Sequence, residues 1–218
     1  MRAAWYERRG PAHEVLTIGA MPDPEPGPGE VRIRLSFSGI SPGDVKKRSG
    51  WLGAPMPSPR VIPHSDGAGV IDAVGKDVDA ARVGRFAWCY GAQSYRDFGT
   101  AAELVVVPAS LAVDLPSTAD PALLAQAASL GIPGITGYRA IFADGSVAGL
   151  TVVVWGAASG VGAFALQMAL RDGARCVAVV RTEDQRKAVL AMGAKAAFLS
   201  DAPDLVISSS AIVDLDLR

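Results

Sequence analysis

The residues whose types and spacing most clearly suggest a chemical task lie in one turn. Gly156 to Gly162 reads Gly-Ala-Ala-Ser-Gly-Val-Gly, so that Ala157-x-Ser159-x-x-Gly162 stands where a G-x-G-x-x-G spacing would. Small side chains at Ala158, Ser159, Gly160, Val161 and Gly162 let a ligand come close to the main chain. A strand-to-helix turn of this kind leaves backbone N–H groups free at the positive end of a helix, which suits a pyrophosphate. Gly162 would let the helix pack close to the strand. Taken alone, the same spacing also describes a tight turn in any α/β domain.

The elements on either side narrow the reading. Thr151 to Trp155 is apolar without alternation, as a parallel strand covered on both faces would be. A helical stretch with Phe164, Leu166, Met168 and Leu170 among alanines follows. A βαβ spacing further on, Arg175-Cys-Val-Ala-Val-Val180 predicts a second strand. An Asp or Glu closing that strand would hold a ribose 2′-hydroxyl. The residue here is Arg181, which can grip a 2′-phosphate through two donors. Thr182 then opens Thr-Glu-Asp-Gln, a capping-box pattern with Gln185 at its third helical position. Arg186 and Lys187 follow in the first turns, and Lys187 reads equally as a solvated surface charge. These residues favour NADP(H) over NAD(H).

Composition sets the outer limits. The chain has 218 residues, half of them hydrophobic, and a formal charge of −1. That is enough for one large or two small domains with cores of their own. Near-neutral charge gives no electrostatic case for nucleic acid or an anionic membrane. No apolar run approaches the roughly 20 residues of a membrane helix, and the N-terminus lacks a signal-peptide core. Cys89 and Cys176 lie apart in apolar surroundings, as buried thiols of a reducing, cytoplasmic compartment would. With only His13 and His64, little material is left for metal or acid–base chemistry.

The N-terminal part is predicted to be mostly β. Val31, Ile33, Leu35 and Phe37 alternate onto one face of a half-buried strand. Arg2–Tyr6, 67–75, 84–90 and 103–108 read as further strands. Pro- and Gly-rich loops cover 21–30 and 51–63, and a short basic helix carries Lys46, Lys47 and Arg48. Ala122 to Leu130 is helical, Gly131 to Gly137 interrupts it, and Tyr138 to Ala143 resumes. The organisation expected is a β-rich domain over 1–121, then a nucleotide-binding domain over 122–218.

With these residues in place, the chain resembles the medium-chain dehydrogenase/reductase superfamily, in its zinc-free quinone oxidoreductase (zeta-crystallin-like) branch, shortened at the C-terminus. The matching motifs are Gly39-Ile-Ser-Pro-Gly-Asp44 with Arg48-Ser-Gly50, Ser65-Asp-Gly-Ala-Gly-Val-Ile71 with Val74-Gly75, and Gly99 to Pro108. Gly134-Ile-Thr-Gly-Tyr138 and Gly156 to Gly162 complete the set. The resemblance implies an α/β protein, a GroES-like β-rich domain plus a partial Rossmann domain with a doubly wound parallel sheet. It also implies an NADPH-dependent enzyme that reduces quinones or α,β-unsaturated carbonyls by hydride transfer, with a small quinone or enone as substrate.

Zinc relatives carry Cys where Ser41 stands and His where Ser65 stands, and a serine hydroxyl is a poor zinc ligand. His64 is one residue too early and reads as a satisfied loop histidine. The resemblance puts Ser41 and Lys46 on a turn facing the cleft, where Lys46 is either a substrate contact or a surface lysine. Asp44 reads as a structural acceptor. Thr136 and Tyr138 fall on the segment that runs beside the nicotinamide, although Tyr138 also suits a core or hinge aromatic. Ser200 stands near the expected cofactor phosphate.

The later strands of the family have no counterpart, and 211–215 reads as a fourth strand with an open edge. Such an edge invites pairing with a second copy, a homo-oligomer. Two other readings stay open: a non-catalytic nucleotide-binding or interaction protein, and an enoyl-thioester reductase.

Overall fold

The computed structural model describes residues 1–53, 55–94 and 96–201; the strand expected at 211–215 lies outside them. The chain divides into two compact units, Met1–Ile132 and a second beginning at Pro133. Among the described residues no helix is long and apolar enough to cross a membrane.

The first unit opens with β1 (Arg2–Trp5), a one-turn helix α1 (Ala12–Val15) and β2 (Thr17–Ala20), β1 and β2 forming an antiparallel pair. Then come β3 (Glu30–Gly39), helix α2 (Pro42–Ser49), β4 (Asp66–Val74), β5 (Phe86–Cys89), β6 (Leu104–Pro108), β7 (Ala112–Asp114) and helix α3 (Pro121–Ala127). β3 to β7 make a five-stranded antiparallel sheet in the order β6-β3-β4-β5-β7. The alternation in β3 works as expected at its start, where Val31 and Ile33 are fully buried. Irregularities in the β3–β4 register at Arg32/Ile33 and Leu35/Phe37 then turn the strand, and Phe37 emerges toward solvent. Val31, Ile33, Ile71, Ala87, Cys89, Val105 and Val107 form one core cluster. Each valine or isoleucine fully buried there contributes about 1.5–3 kcal/mol.

α3 belongs to the first unit although the composition shifts at Pro121. Its Leu124 and Ala127, with Ala128, close over Ala68 beside Phe86 and Trp88. Packing rather than composition sets that limit.

The second unit contains most of α4 (Gly131–Phe142), then β8 (Thr151–Trp155), α5 (Gly160–Arg171), β9 (Arg175–Val180), α6 (Glu183–Ala191) and β10 (Ala196–Leu199). The strands form a parallel sheet in the order β10-β9-β8, half of the order typical of dinucleotide-binding sheets. Its core is built of small residues and includes Ala157, Ala165, Leu166, Ala169, Cys176, Ala178, Val180 and Val189.

One sequence expectation fails here. Gly131–Gly137 does not interrupt a helix, because α4 runs through it unbroken. Pro133 sits in the first turn, where its missing N–H is not needed. Gly137 is where α4 lies against α5: a Cβ there would fall 3.0 Å from the Ala165 nitrogen and 3.1 Å from the Val161 oxygen. The glycine marks close helix packing, not a break. Two strands, β2 and β7, fall where none is expected; both are short, and their pairing partners order them.

Candidate functional site

The turn between β8 and α5 is the best-formed feature of the second unit. Gly156 has φ +73°, in the left-handed region that glycine adopts without strain. A Cβ on Gly162 would lie 2.1 Å from the Gly156 carbonyl oxygen, so only glycine allows the helix to start so close to the strand. Gly156 and Ala157 donate to Val179 O, Ser159 donates to Gly156 O, and Ser159 Oγ caps the helix by accepting from the Gly162 N–H at 3.1 Å. The N–H groups of Ala158, Gly160 and Val161 have no protein acceptor among the described residues. Three donors thus stand free at the positive end of a 12-residue helix, where a phosphate can accept them.

At the end of β9, the Thr182 hydroxyl accepts from the Gln185 N–H, and Gln185 Oε1 accepts from the Arg181 N–H at 3.0 Å. The reciprocal bond therefore falls one residue earlier than in the ideal capping box. The Arg181 side chain is exposed and holds no carboxylate among the described residues. Arg186 differs, because both its Nε and Nη2 donate to Glu183, at 2.8 and 2.7 Å. Hydrogen bonding to Arg186 holds the Glu183 carboxyl below its ordinary range. Glu183 and Asp184 also complement the α6 dipole, so Arg181 is the cation left available. In register, Leu199 lies opposite Val180, and Ser200 donates to Val180 O at 2.8 Å. Ser200 thus follows β10 directly and lies next to the end of β9. Trp155, 62% exposed, ends β8 beside the turn. On α4, Thr136 and Gly137 precede Tyr138, which is exposed and packs its ring on Phe142 at 4.9 Å. Tyr138 is therefore no core aromatic.

In the first unit, Ser41 is the N-cap of α2 and donates its N–H to Asp44 Oδ2 at 2.7 Å. Asp44 is buried and structural, as expected. Lys46 is exposed, its ammonium 4.4 Å from the centre of the Trp51 ring, a cation–π contact. His64 is held at φ +75°, unusual for a residue with a side chain. Its Nδ1 is 2.9 Å from Ser38 Oγ, which is 2.9 Å from Thr100 Oγ1, and Thr100 donates to Asp66 O at 2.6 Å. Burial lowers the His64 pKa, partly offset by Asp44, which favours the neutral ring. Among the described residues, no three His, Cys, Asp or Glu side chains converge as a metal site would need.

Asp66 escapes sequence reasoning. It is 3% exposed; Oδ2 accepts from the Ile132 N–H at 2.7 Å, while Oδ1 is buried without a hydrogen-bond partner among the described residues. Burial, helped by the Asp44 charge, raises its pKa to about 6 against the Ile132 hydrogen bond. A Cβ on Gly131 would lie 2.2 Å from Oδ1. No local pattern marks this carboxyl, because the N–H that holds it lies 66 residues away.

Comparison with known proteins fits this architecture. Residues 27–117 match the alcohol dehydrogenase GroES-like domain. The mouse quinone oxidoreductase is 34% identical over 88% of this chain and 56% of its own length, so the chain spans about half the length of the curated relatives it matches. A solved NAD-dependent alcohol dehydrogenase is 30% identical with a TM-score of 0.83, over 94% of this chain and 65% of that one. A mycobacterial protein solved with NADPH is 28% identical with a TM-score of 0.75, over 91% of this chain and 58% of that one. The matched domain and these relatives make the chain similar to alcohol dehydrogenases and quinone oxidoreductases, with a GroES-like β-rich unit and a parallel α/β unit.

Proposed function

We propose that the chain carries the NADPH-binding turn and the GroES-like domain of a zinc-independent oxidoreductase that reduces quinones or α,β-unsaturated carbonyls. The observation that carries this reading is the turn itself: among the described residues, three N–H groups at the start of α5 have no acceptor and the Arg181 guanidinium at the end of β9 holds no carboxylate. The fit is chemical on both sides. The turn supplies donors and a positive dipole to a pyrophosphate, and Arg181 supplies a fork to a 2′-phosphate. Ser159 and Gly162 hold the helix start in place, so little rearrangement accompanies binding. Arg186 would add a second cation only by leaving Glu183. Thr182 and Ser200 flank the same strand ends.

When bound, the nicotinamide supplies a hydride. Quinones and enones are already electrophilic and need no metal to polarise them. Zinc independence rests on residue type, since Ser41 and Ser65 stand where the zinc enzymes use Cys and His. Lys46, Ser41 and Tyr138 are proposed as contacts to substrate or nicotinamide ribose.

The test is acceptor-dependent oxidation of NADPH over a panel of quinones, enones and enoyl-thioesters. The reading requires turnover above the no-enzyme rate with a quinone or a simple enone. Turnover with enoyl-thioesters alone would select the thioester alternative. Saturable nucleotide binding with no turnover on any acceptor would select the non-catalytic binding protein instead.

A further inference from the structure

The first unit holds a cavity of about 640 Å³ that the reductase reading does not use. That volume lies within the usual range for small-molecule pockets. Its walls include Tyr6, Arg9, Lys47, Pro55 and Gln93. Pro55 and Pro57 give it exposed apolar surface, and the cations give it charge. Each neighbouring charge is accounted for differently. Arg96 is committed, its Nη2 donating to Glu30 Oε1 at 2.9 Å and also to Val106 O. Among the described residues Lys47 has a neutral partner only: Nζ donates to Gln93 Oε1 at 3.0 Å, and Gln93 is 6% exposed. Arg9 likewise donates Nη2 to the Pro55 carbonyl oxygen, at 2.6 Å, and to no other described residue. Its Nε is buried and has no partner among the described residues. Neither Arg9 nor Lys47 meets a carboxylate among the described residues. Asp97, also on the wall, is exposed and forms no ion pair there.

A buried guanidinium N–H without an acceptor among the described residues is a costly arrangement, and the arginine that carries it lines a space large enough for a ligand. We propose that this cavity binds a small planar organic anion, its carboxylate or phosphate held between the Arg9 guanidinium and the Lys47 ammonium. The Pro55 carbonyl already fixes one nitrogen of the Arg9 fork, so the planar group is pre-oriented. Lys47 then supplies a point charge and Gln93 stays as its tether. Pro55 and Pro57 give the flat body of the ligand an apolar surface to lie on. The site stands whether or not the chain reduces quinones.

Isothermal titration of the full chain, without nucleotide, tests this with benzoate, phenyl phosphate and neutral benzamide. Saturable binding of at least one anion is expected, with none for benzamide. Arg9→Gln and Lys47→Gln should each weaken that binding by about tenfold or more, while Lys195→Gln, an exposed cation in the second unit, should leave it unchanged. Benzoate binding alone would assign a carboxylate ligand, and phenyl phosphate alone a phosphate. Lys47→Gln alters only an exposed side chain, so it keeps the test readable should Arg9→Gln unfold. Binding of neither anion, equal binding of benzamide, or wild-type affinity in both variants would overturn the site. NADPH binding to these variants, measured separately, should be unaffected, so this proposal and the nucleotide reading can fail independently.

Discussion

The two units build polar chemistry in opposite ways. The second unit uses its backbone. Its core is almost wholly small and apolar, and its polar groups of interest are N–H donors exposed by the geometry of one turn. The first unit uses buried side chains. Asp44, Ser65, Asp66, Gln93 and Thr100 all sit below the surface of the β-rich fold, and Asp66, Gln93 and Thr100 are tied to partners far away in sequence. The first design is local and tolerates change anywhere but at the turn. The second spreads its requirements over strands and loops, and it places a carboxyl where water cannot stabilise its charge.

The sharpest way to break the contrast is at Gly162. Gly162→Val must push a side chain into the Gly156 carbonyl and should cost about 3 kcal/mol of stability. It should also remove nucleotide binding, read by thermal unfolding and ligand titration on the same sample. A variant that kept both would show that the turn is not the rigid element described.

The first unit answers through Asp66. Its folded pKa of about 6 lies above the ordinary carboxylate value of 3.8. The folded state therefore holds the proton more tightly than the unfolded chain. The stability tied to that proton is fully present below about pH 4, declines as pH rises to 6, and is absent above. Asp66→Asn keeps an acceptor for the Ile132 N–H and removes the charge. Denaturant unfolding from pH 4 to 7 should show the wild type losing up to about 3 kcal/mol relative to the variant. Parallel curves would contradict a buried, unpaired carboxyl.

A smaller effect is expected at Ser159. Ser159→Ala removes the N-cap bond to Gly162 and should cost about 1 kcal/mol in the unfolding midpoint, with only a modest loss of nucleotide affinity. A loss as large as that of Gly162→Val would shift weight from backbone to side chain in this unit as well.

The same contrast explains what could be read from the sequence. The βαβ unit, its turn, Thr182 as a cap and Arg181 at a strand end are all local, and each follows from periodicity and residue type over a few positions. The strands of the first unit were legible wherever they alternate, as in β3. Short strands such as β2 and β7 were not, because pairing partners order them. Glycines misled where their role is tertiary: Gly137 reads as a break and is instead a packing contact for α5. Asp66 and the Arg9–Lys47 cavity were illegible for the same reason. Asp66 meets Ile132, Arg9 meets Pro55 and Lys47 meets Gln93, contacts that no local spacing encodes.

The most direct test of the central claim is a fluorescence titration of the whole chain with NADPH and, separately, with NADH. Trp155, exposed at the end of β8 beside the turn, should report occupancy by quenching. The account predicts saturable binding of both nucleotides, with NADPH tighter by about tenfold and that preference lost in Arg181→Ala. Absence of saturation with either nucleotide, or an NADPH preference that survives Arg181→Ala, would contradict it.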